Sequence, residues 1–319
     1  MKPETKSFTT EIRENARLLG ISKIGFAKVE ALKTEGDYLK EWLGRGYHGT
    51  MEWMRKNRDS RLDPREILQE AKSVICVAMN YFNYDIPDYK NNILRISRYA
   101  WGQDYHAIVK SKLQSLLHFI KLKYPQVKGK IFIDAGPVME KAWAVRSGIG
   151  WQGKHSVTIT KEYGSWVCLG EIICDLEFEY DSPVEDLCGE CRLCIEACPT
   201  KAITEPYIVN ASRCISYQTI EHDEEIDANV ATKIGRWIYG CDICQEVCPW
   251  NQTSQQVTTV EEFAPIKDIR IPNLNIMREM DETEFNERFQ NNSIKRITLQ
   301  KLIRNIHTVL RKYDTVHEE

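Results

Sequence analysis

The sequence has no long hydrophobic run, no strong excess of charge and no internal repeat. Its longest apolar stretches, such as residues 73–79, are strand-sized and far shorter than the ~20 residues of a membrane-spanning helix. The N-terminus lacks the apolar core of a signal peptide and the arginine pair of a twin-arginine signal. A net charge of −3 gives no overall attraction to nucleic acid, so such binding would need a local basic patch. We therefore expect a cytoplasmic protein without a membrane partner.

Cysteine, in contrast, is abundant and unevenly placed. Eight of the 11 cysteines in this 319-residue chain lie between residues 188 and 248. Thiols stay reduced in the cytoplasm, so a concentration of them predicts metal ligands before disulfides. The other three, Cys76, Cys168 and Cys174, lie in apolar stretches, and we interpret them as small buried residues without chemistry.

The first cysteine run has the spacing of bacterial ferredoxins. Cys188, Cys191, Cys194 and Cys198 follow C-x2-C-x2-C-x3-C, and Pro199 comes next. In that pattern three cysteines bind one iron–sulfur cluster and the fourth binds a second cluster. Zinc ribbons are the alternative, but they use separated C-x2-C pairs without this continuation.

The second run, Cys241, Cys244 and Cys248, lacks one cysteine, because Ile238 occupies the matching position. Cys214, between the runs, would supply the missing thiolate. The spacing then predicts two 4Fe–4S clusters, each with four ligands. One set is Cys188, Cys191, Cys194 and Cys248, and the other is Cys198, Cys214, Cys241 and Cys244.

The rest of the chain predicts an α+β fold. Residues 1–180 alternate between helical and strand-like patterns, which indicates an α/β domain around a central sheet. Residues 181–255 would form a bacterial ferredoxin-like two-cluster domain, and residues 256–319 a C-terminal helical tail. One side of the tail is apolar, and the other carries Lys295, Arg296, Lys301, Arg304, Arg311 and Lys312. Such a basic side is either a solvated face or a partner-binding surface.

Three stretches of the first domain, residues 49–65, 97–106 and 134–156, carry the polar side chains of a candidate site. Asp134 follows the apolar run "IFI", and ligand crevices of α/β sheets form at the carboxyl ends of strands. We expect burial to raise its pKa and make it a general acid. The alternative is an aspartate that only caps a turn.

These stretches, followed by "CGECRLCIEACPTKAI", "RCISYQTIE" and "GCDICQEVCPWN", resemble the epoxyqueuosine reductases through nearly the whole chain. The resemblance implies an oxidoreductase that reduces epoxyqueuosine to queuosine at the wobble position of tRNA. It also implies a cobalamin in the N-terminal domain, two 4Fe–4S clusters beside it, and a fold shared with reductive dehalogenases. Some members continue into a helical-repeat segment, so the tRNA contacts of that segment are expected either to come from elsewhere in this chain or to be weaker.

The resemblance also assigns roles to single residues. It implies Asp134 as the proton donor and, with it, Asn57, Ser97, Lys154, Ser156 and Thr158 as cobalamin-binding residues. The cobalamin motif D-x-H-x-x-G is incomplete, because Val109 replaces its glycine, so we interpret His106 as structural. Trp101 and Gln103 stand where many members have arginines, which predicts two fewer positive charges near the pocket mouth.

The implied chemistry is consistent, because iron–sulfur clusters deliver single electrons, cobalamin reduces the substrate and a carboxyl group supplies the proton. Two alternatives remain open from the sequence: a reductive dehalogenase-like cobalamin enzyme acting on a small molecule, and a ferredoxin-type electron carrier. The expected partners are tRNA carrying epoxyqueuosine in its anticodon loop and an electron donor that the sequence does not identify. We expect a monomer.

Overall fold

The computed structural model describes residues 3–84, 94–134 and 136–316. The strands are β1 (Lys23–Lys28), β2 (Ser73–Asn80), β3 (Arg95–Ile96), β4 (Gly129–Phe132), β5 (Trp151–Gln152), β6 (Thr158–Ile159), β7 (Val167–Cys174), β8 (Ile203–Glu205), β9 (Ile208–Val209) and β10 (Trp237–Tyr239). The helices are α1 (Pro3–Leu18), α2 (Lys33–Gly44), α3 (Arg58–Leu62), α4 (Tyr105–Lys123), α5 (Glu140–Arg146), α6 (Leu193–Ala197), α7 (Ile215–Ile220), α8 (Ala228–Ala231), α9 (Ile243–Glu246), α10 (Pro249–Thr253), α11 (Lys267–Arg270), α12 (Leu274–Glu279), α13 (Glu282–Arg288) and α14 (Leu299–Val316).

The central sheet has the strand order β1-β2-β7-β4, and all of its neighbours are antiparallel. Every residue of β2 is buried, because both faces of the sheet are covered. Ile75 and Val77 pack in the core that includes residues of α1 and α4. Val74 and Cys76 pack in the core that includes Trp143 of α5. The side-chain alternation of a strand thus places one helix layer on each face.

The second candidate stretch packs with the C-terminal part of the chain. β10 pairs with β3 in parallel, and Trp237 lies opposite Arg95. The apolar residues of this core come from both segments and include Ile96, Trp101, Tyr239, Leu302 and Ile306. The predicted apolar side of the tail is confirmed, since Ile294, Ile297, Leu302, Ile306 and Val309 are all buried.

The α+β class is confirmed, with the difference that the first sheet is antiparallel throughout. The domain boundaries at residues 180 and 255 stay predictions. Trp101 corrects one expectation: it is 1% exposed and its indole N–H donates to the Ile96 carbonyl at 2.9 Å, so it belongs to a core and not to a pocket mouth. Across the described ranges, we find no helix with the length and apolar character needed to cross a membrane.

Candidate active site and cluster sites

Asp134 lies directly beyond β4, at the start of the turn that leads to α5. Its backbone has φ = 54°, in the left-handed region that non-glycine residues seldom adopt. The backbone N–H of Asp134 donates to the Oε1 atom of Glu140, the first residue of α5. The turn therefore presents the Asp134 side chain while its backbone is held from the next helix.

Three groups donate to one carboxyl oxygen of Asp134. Tyr105 Oη lies 2.9 Å from Asp134 Oδ2, His106 Nε2 lies 3.3 Å away, and Arg296 Nη1 lies 3.4 Å away. Tyr105 and His106 open α4, and Asp104 is the N-cap of that helix. Asp104 Oδ1 also lies 2.7 Å from His106 Nδ1, so the imidazole is bridged between two carboxyl groups.

These contacts reverse the expected charge state of Asp134. Burial by itself raises its pKa, but the hydrogen bonds from His106 and Tyr105 and the charge of Arg296 outweigh burial and lower the pKa to about 2. Burial lowers the pKa of His106, but its hydrogen bonds to Asp104 and Asp134 prevail and raise that pKa to about 9. The prediction of a raised Asp134 pKa was therefore wrong, and at neutral pH the site is an aspartate–histidinium pair.

The first candidate stretch reaches the same turn through Arg61 of α3. This guanidinium is 6% exposed, contacts the Trp53 ring, and donates from Nη1 to the Gly136 carbonyl at 3.3 Å. All three candidate stretches therefore meet around the Asp134 turn, joined by Arg296 from the C-terminal part of the chain.

Four of the predicted ligands line one cavity of about 460 Å³: Cys188, Cys191, Cys194 and Cys248. Burial raises the pKa of Cys194 to about 11, and the thiols of Cys248, Cys188 and Cys191 add to the effect. Lys154 also lines the cavity and donates to the Gly189 and Cys191 carbonyls. The first predicted ligand set is thus assembled around a single space.

The other four thiols form a second group, and all four are partly buried. Burial raises the pKa of Cys241, and the neighbouring thiols of Cys214 and Cys244 add to that rise. Cys198 acts in the same way on Cys214. Within the residues that the structure describes, no three metal-binding side chains are close enough to hold a single ion. A four-iron cluster does not require such closeness, because each thiolate binds a different iron. The donor chemistry of both groups fits 4Fe–4S clusters.

The five predicted cobalamin contacts other than Asp134 are spread over several elements, and none of them hydrogen-bonds to Asp134. Ser97 is 2% exposed and donates to Asp242, beside the cluster ligand Cys241. Ser156 donates to the Tyr207 carbonyl at 2.6 Å. Thr158 is buried, and its hydroxyl lacks a partner in the described part of the chain. Asn57 is exposed, with φ = 54°, just before α3. Their cobalamin role stays a prediction.

Lys141 links the acid turn to the cluster sites. Desolvation of its ammonium group lowers the pKa of Lys141, and this effect outweighs the charges of Glu140, Asp134 and Cys244, which act in the opposite direction. Lys141 in turn helps burial to lower the pKa of His155, which lines the first cluster cavity, to about 4. A cofactor between the acid and the clusters would therefore contact Lys141.

Sequence reasoning missed four residues of this site: Tyr105, His106, Glu140 and Arg296. The first two lie inside a recognised stretch, "DYH", and His106 was interpreted as structural. Glu140 follows Asp134 by six positions, within the third stretch. No sequence pattern around Arg296 indicates a role in this site, because 162 residues separate it from Asp134.

Comparisons with known proteins connect these features. Residues 61–135 match a family model described as "Epoxyqueuosine reductase QueG, DUF1730". Residues 187–251 match one described as "4Fe-4S double cluster binding domain". The epoxyqueuosine reductase of Cyclobacterium marinum is 40% identical over 302 residues, which cover 94% of this chain and 96% of that protein.

Solved structures agree with these matches. The epoxyqueuosine reductase of Bacillus subtilis, determined with its aspartate-bearing catalytic loop swung out of the active site, has a TM-score of 0.89 and 34% identity. A crystal structure of an epoxyqueuosine reductase with an epoxyqueuosine-modified tRNA stem loop has a TM-score of 0.87 and 33% identity. Each superposition covers 96% of this chain and 82% of the other chain.

Proposed function

The chain belongs to the epoxyqueuosine reductase family, and from that membership we propose that it reduces epoxyqueuosine to queuosine at the wobble position of tRNA. The observation that carries the proposal is the Asp134 turn, where three separate stretches converge and where Lys141 interacts electrostatically with both Asp134 and the cluster ligand Cys244. A ferredoxin-type carrier would have no use for such an acid site, and the relatives' identity favours the reductase over a dehalogenase-like enzyme.

Two 4Fe–4S clusters would deliver the electrons. The cavity formed by Cys188, Cys191, Cys194 and Cys248 holds one cluster, and Cys198, Cys214, Cys241 and Cys244 hold the other. Cys191 of the first set is exposed, so electrons from an external donor would enter at the first cluster.

The residues between the acid and the clusters suit a cobalamin. When bound, this cofactor would supply a low-valent cobalt that reduces the epoxide. Thr158, whose buried hydroxyl lacks a described partner, would bind a polar side group of the cofactor, and Asn57, Ser97, Lys154 and Ser156 are the further candidates.

Asp134 and His106 would handle the protons. Reduction of the epoxide to the alkene consumes two electrons and two protons, and the oxygen leaves as water. His106 Nε2 carries a proton 3.3 Å from Asp134 Oδ2, so the pair holds one proton that is available for the epoxide oxygen. Asp134 would then donate to the epoxide oxygen as a general acid. Tyr105 and Arg296 hold the carboxyl group in place through the same oxygen.

The substrate base lies in a single-stranded anticodon loop, so it would enter the site splayed out of its stack. A tRNA modification of this kind is consistent with a cytoplasmic monomer, and an external redox protein would supply the electrons.

The test is conversion of tRNA that contains epoxyqueuosine by protein reconstituted anaerobically with iron, sulfide and cobalamin under a chemical reductant. We expect queuosine in the digested tRNA, and about eight irons per chain in two clusters. A fully loaded protein that leaves the epoxide intact would exclude this function. Zinc in place of iron would exclude the electron relay.

A further inference from the structure

Glu171 is a fully buried acid at the centre of the sheet. It lies on β7 opposite Cys76 of β2 and Phe132 of β4, on the sheet face that α5 covers. Neither of its carboxyl oxygens has a hydrogen-bond partner of standard geometry within the described ranges. Burying an ionised carboxylate without a partner is costly, so such a group keeps its proton.

Glu140 is the acidic neighbour of Glu171. Burial raises the pKa of Glu171 well above its usual range, and both the Glu140 charge and a side-chain contact with the Glu140 carboxyl group, short of standard hydrogen-bond geometry, add to the rise. Burial also raises the pKa of Glu140, and the negative charge of Asp134 raises it further. Two adjacent carboxyl groups in such surroundings cannot both ionise, so they retain a proton between them. The fully enclosed Glu171 is the member that carries it.

The Glu140 carboxyl also holds the backbone of Asp134. Its Oε1 atom accepts the Asp134 N–H, and that residue has the unfavourable φ of 54°. An ionised oxygen accepts a hydrogen bond more strongly than a neutral one. The charge on Glu140 therefore helps to keep the turn in the conformation that brings Asp134 to Tyr105 and His106.

The other groups that face Glu140 leave this assignment intact. Arg61 on α3 and Lys141 on α5 present positive charge to it. The remaining titratable neighbours on β2, α4 and β7 are neutral, because burial raises the pKa of each: Cys76, Tyr105 and Cys168.

We propose that Glu140 and Glu171 form a carboxyl pair that shares one proton, in which the Glu140 carboxylate is a positioning residue for Asp134. The pair makes no contact with substrate and acts through the backbone of the Asp134 turn. The inference rests on the proposed function only where it concerns turnover, since the shared proton and the held turn exist without substrate.

The test uses the cluster- and cobalamin-loaded enzyme and four variants: Glu140→Ala, Glu140→Gln, Glu171→Gln and, as the control, Glu70→Ala. Glu70 is an exposed glutamate that pairs with Lys128 and not with the Asp134 turn. The readouts are kcat and KM for epoxyqueuosine tRNA against pH, amide hydrogen exchange of residues 133–139, and the infrared band of protonated carboxyl groups.

We expect Glu140→Ala to lower kcat by roughly 10- to 100-fold, the usual effect of misplacing a catalytic group by about an ångström. KM should not change, and hydrogen exchange in the turn should become faster. Glu140→Gln should recover most of kcat, because its amide oxygen accepts the same N–H. It should also lose the fall in kcat that the wild type shows as the pH drops through about 7, where Glu140 takes up a proton.

The infrared measurement tests directly whether the Glu140–Glu171 pair holds a proton. At about pH 8, far above the ~4.3 of an ordinary glutamate, the wild type should show a protonated carboxyl band. Glu171→Gln should lack it and keep near wild-type turnover, because the amide replaces the neutral acid. Glu70→Ala should behave as the wild type in every readout.

Three results would each overturn the proposal: unchanged kcat in Glu140→Ala, an unaltered pH profile in Glu140→Gln, or a carboxyl band that survives in Glu171→Gln. If the wild type does not act on the tRNA, the proposed function fails instead. The infrared and exchange measurements then still decide the carboxyl pair, because neither uses substrate.

Discussion

At the scale of single residues, the decisive feature is how many groups share one oxygen of Asp134. A phenol, an imidazolium and a guanidinium all donate to Oδ2, so the carboxyl group is ionised and oriented before a substrate arrives. An isolated strand-end aspartate gives no hint of this, since the sequence pattern shows the apolar run before it but not its later partners. For this reason the position of the acid was predictable and its charge state was not.

Removing this carboxylate should abolish most activity without unfolding the protein. We expect Asp134→Asn to lower turnover of epoxyqueuosine tRNA by roughly two to four orders of magnitude, the usual contribution of a positioned general acid. Iron and cobalamin content and the melting temperature should stay near the wild type. A turn-capping aspartate would behave in the opposite way, with lower stability and intact turnover, so the same three measurements distinguish the two roles.

His106 predicts a pH dependence of defined sign. Its pKa is about 9 in the folded protein against an ordinary value of 6.5, so the proton is bound more tightly in the folded state. The stability that this contributes is complete below about pH 6.5. It is lost as the pH rises through about 9. We therefore expect kcat to fall above about pH 9 as His106 loses its proton.

The matched variant is His106→Gln, which keeps a side-chain donor but cannot titrate. Denaturant unfolding of both proteins across this pH range should show the stability advantage of the wild type shrinking toward alkaline pH. If the wild-type advantage instead grows with pH, the imidazole is neutral in the fold and cannot supply the proton.

At the scale of elements, the cysteine loops were the most predictable part of the chain. Ligand spacing is fixed by short loops and by α6 and α9, so the positions of eight cysteines were enough to predict both ligand sets. The sheet was less predictable, because the alternation of helix and strand also fits a parallel arrangement. Asp134 follows a strand of an antiparallel sheet, so the crevice rule for parallel sheets led to this residue for a reason that does not apply here.

The last cysteine of each run should bind the cluster of the other run. Cys198 follows the first loop in sequence but interacts with Cys214 and Cys244 in space. We expect Cys198→Ala to damage the second cluster and to spare the one in the cavity of Cys188, Cys191 and Cys194. Iron content and low-temperature electron paramagnetic resonance of the reduced protein would report this.

Cys248→Ala is the reciprocal variant, because it removes a ligand from the first cavity while belonging to the second loop in sequence. It should keep the electron paramagnetic resonance signal of the second cluster, which Cys198→Ala is expected to lose. If each variant instead damaged the cluster of its own sequence neighbours, the ligation would be uncrossed.

At the scale of the whole molecule, distant segments complete the site. Residues 94–101 pack with the C-terminal core, and Arg296 reaches Asp134 from there. The same packing occupies much of the basic side of the tail: Arg296 pairs with Glu221, Lys301 pairs with Asp223, and Arg304 donates to backbone carbonyls. The side chain of Lys312 lies outside the described residues. A basic helix face in a sequence is thus a poor guide to free charge, because partners from other segments are not visible there.

This distribution of charge predicts which cations bind the tRNA backbone. Lys56 and Arg58 are exposed beside Asn57 and have no ion-pair partner in the described part of the chain, so their charge is available to phosphate. We expect the double variant Lys56→Ala/Arg58→Ala to weaken tRNA binding and to reduce the slope of log affinity against log salt by about 1 for each phosphate that is no longer neutralised. Lys121→Ala/Lys161→Ala is the control of equal charge, since both lysines are exposed on other parts of the surface. Binding of a fluorescent anticodon stem-loop between low and moderate salt measures both slopes. Equal slopes in the two double variants would mean that the tRNA does not cross the turn before α3.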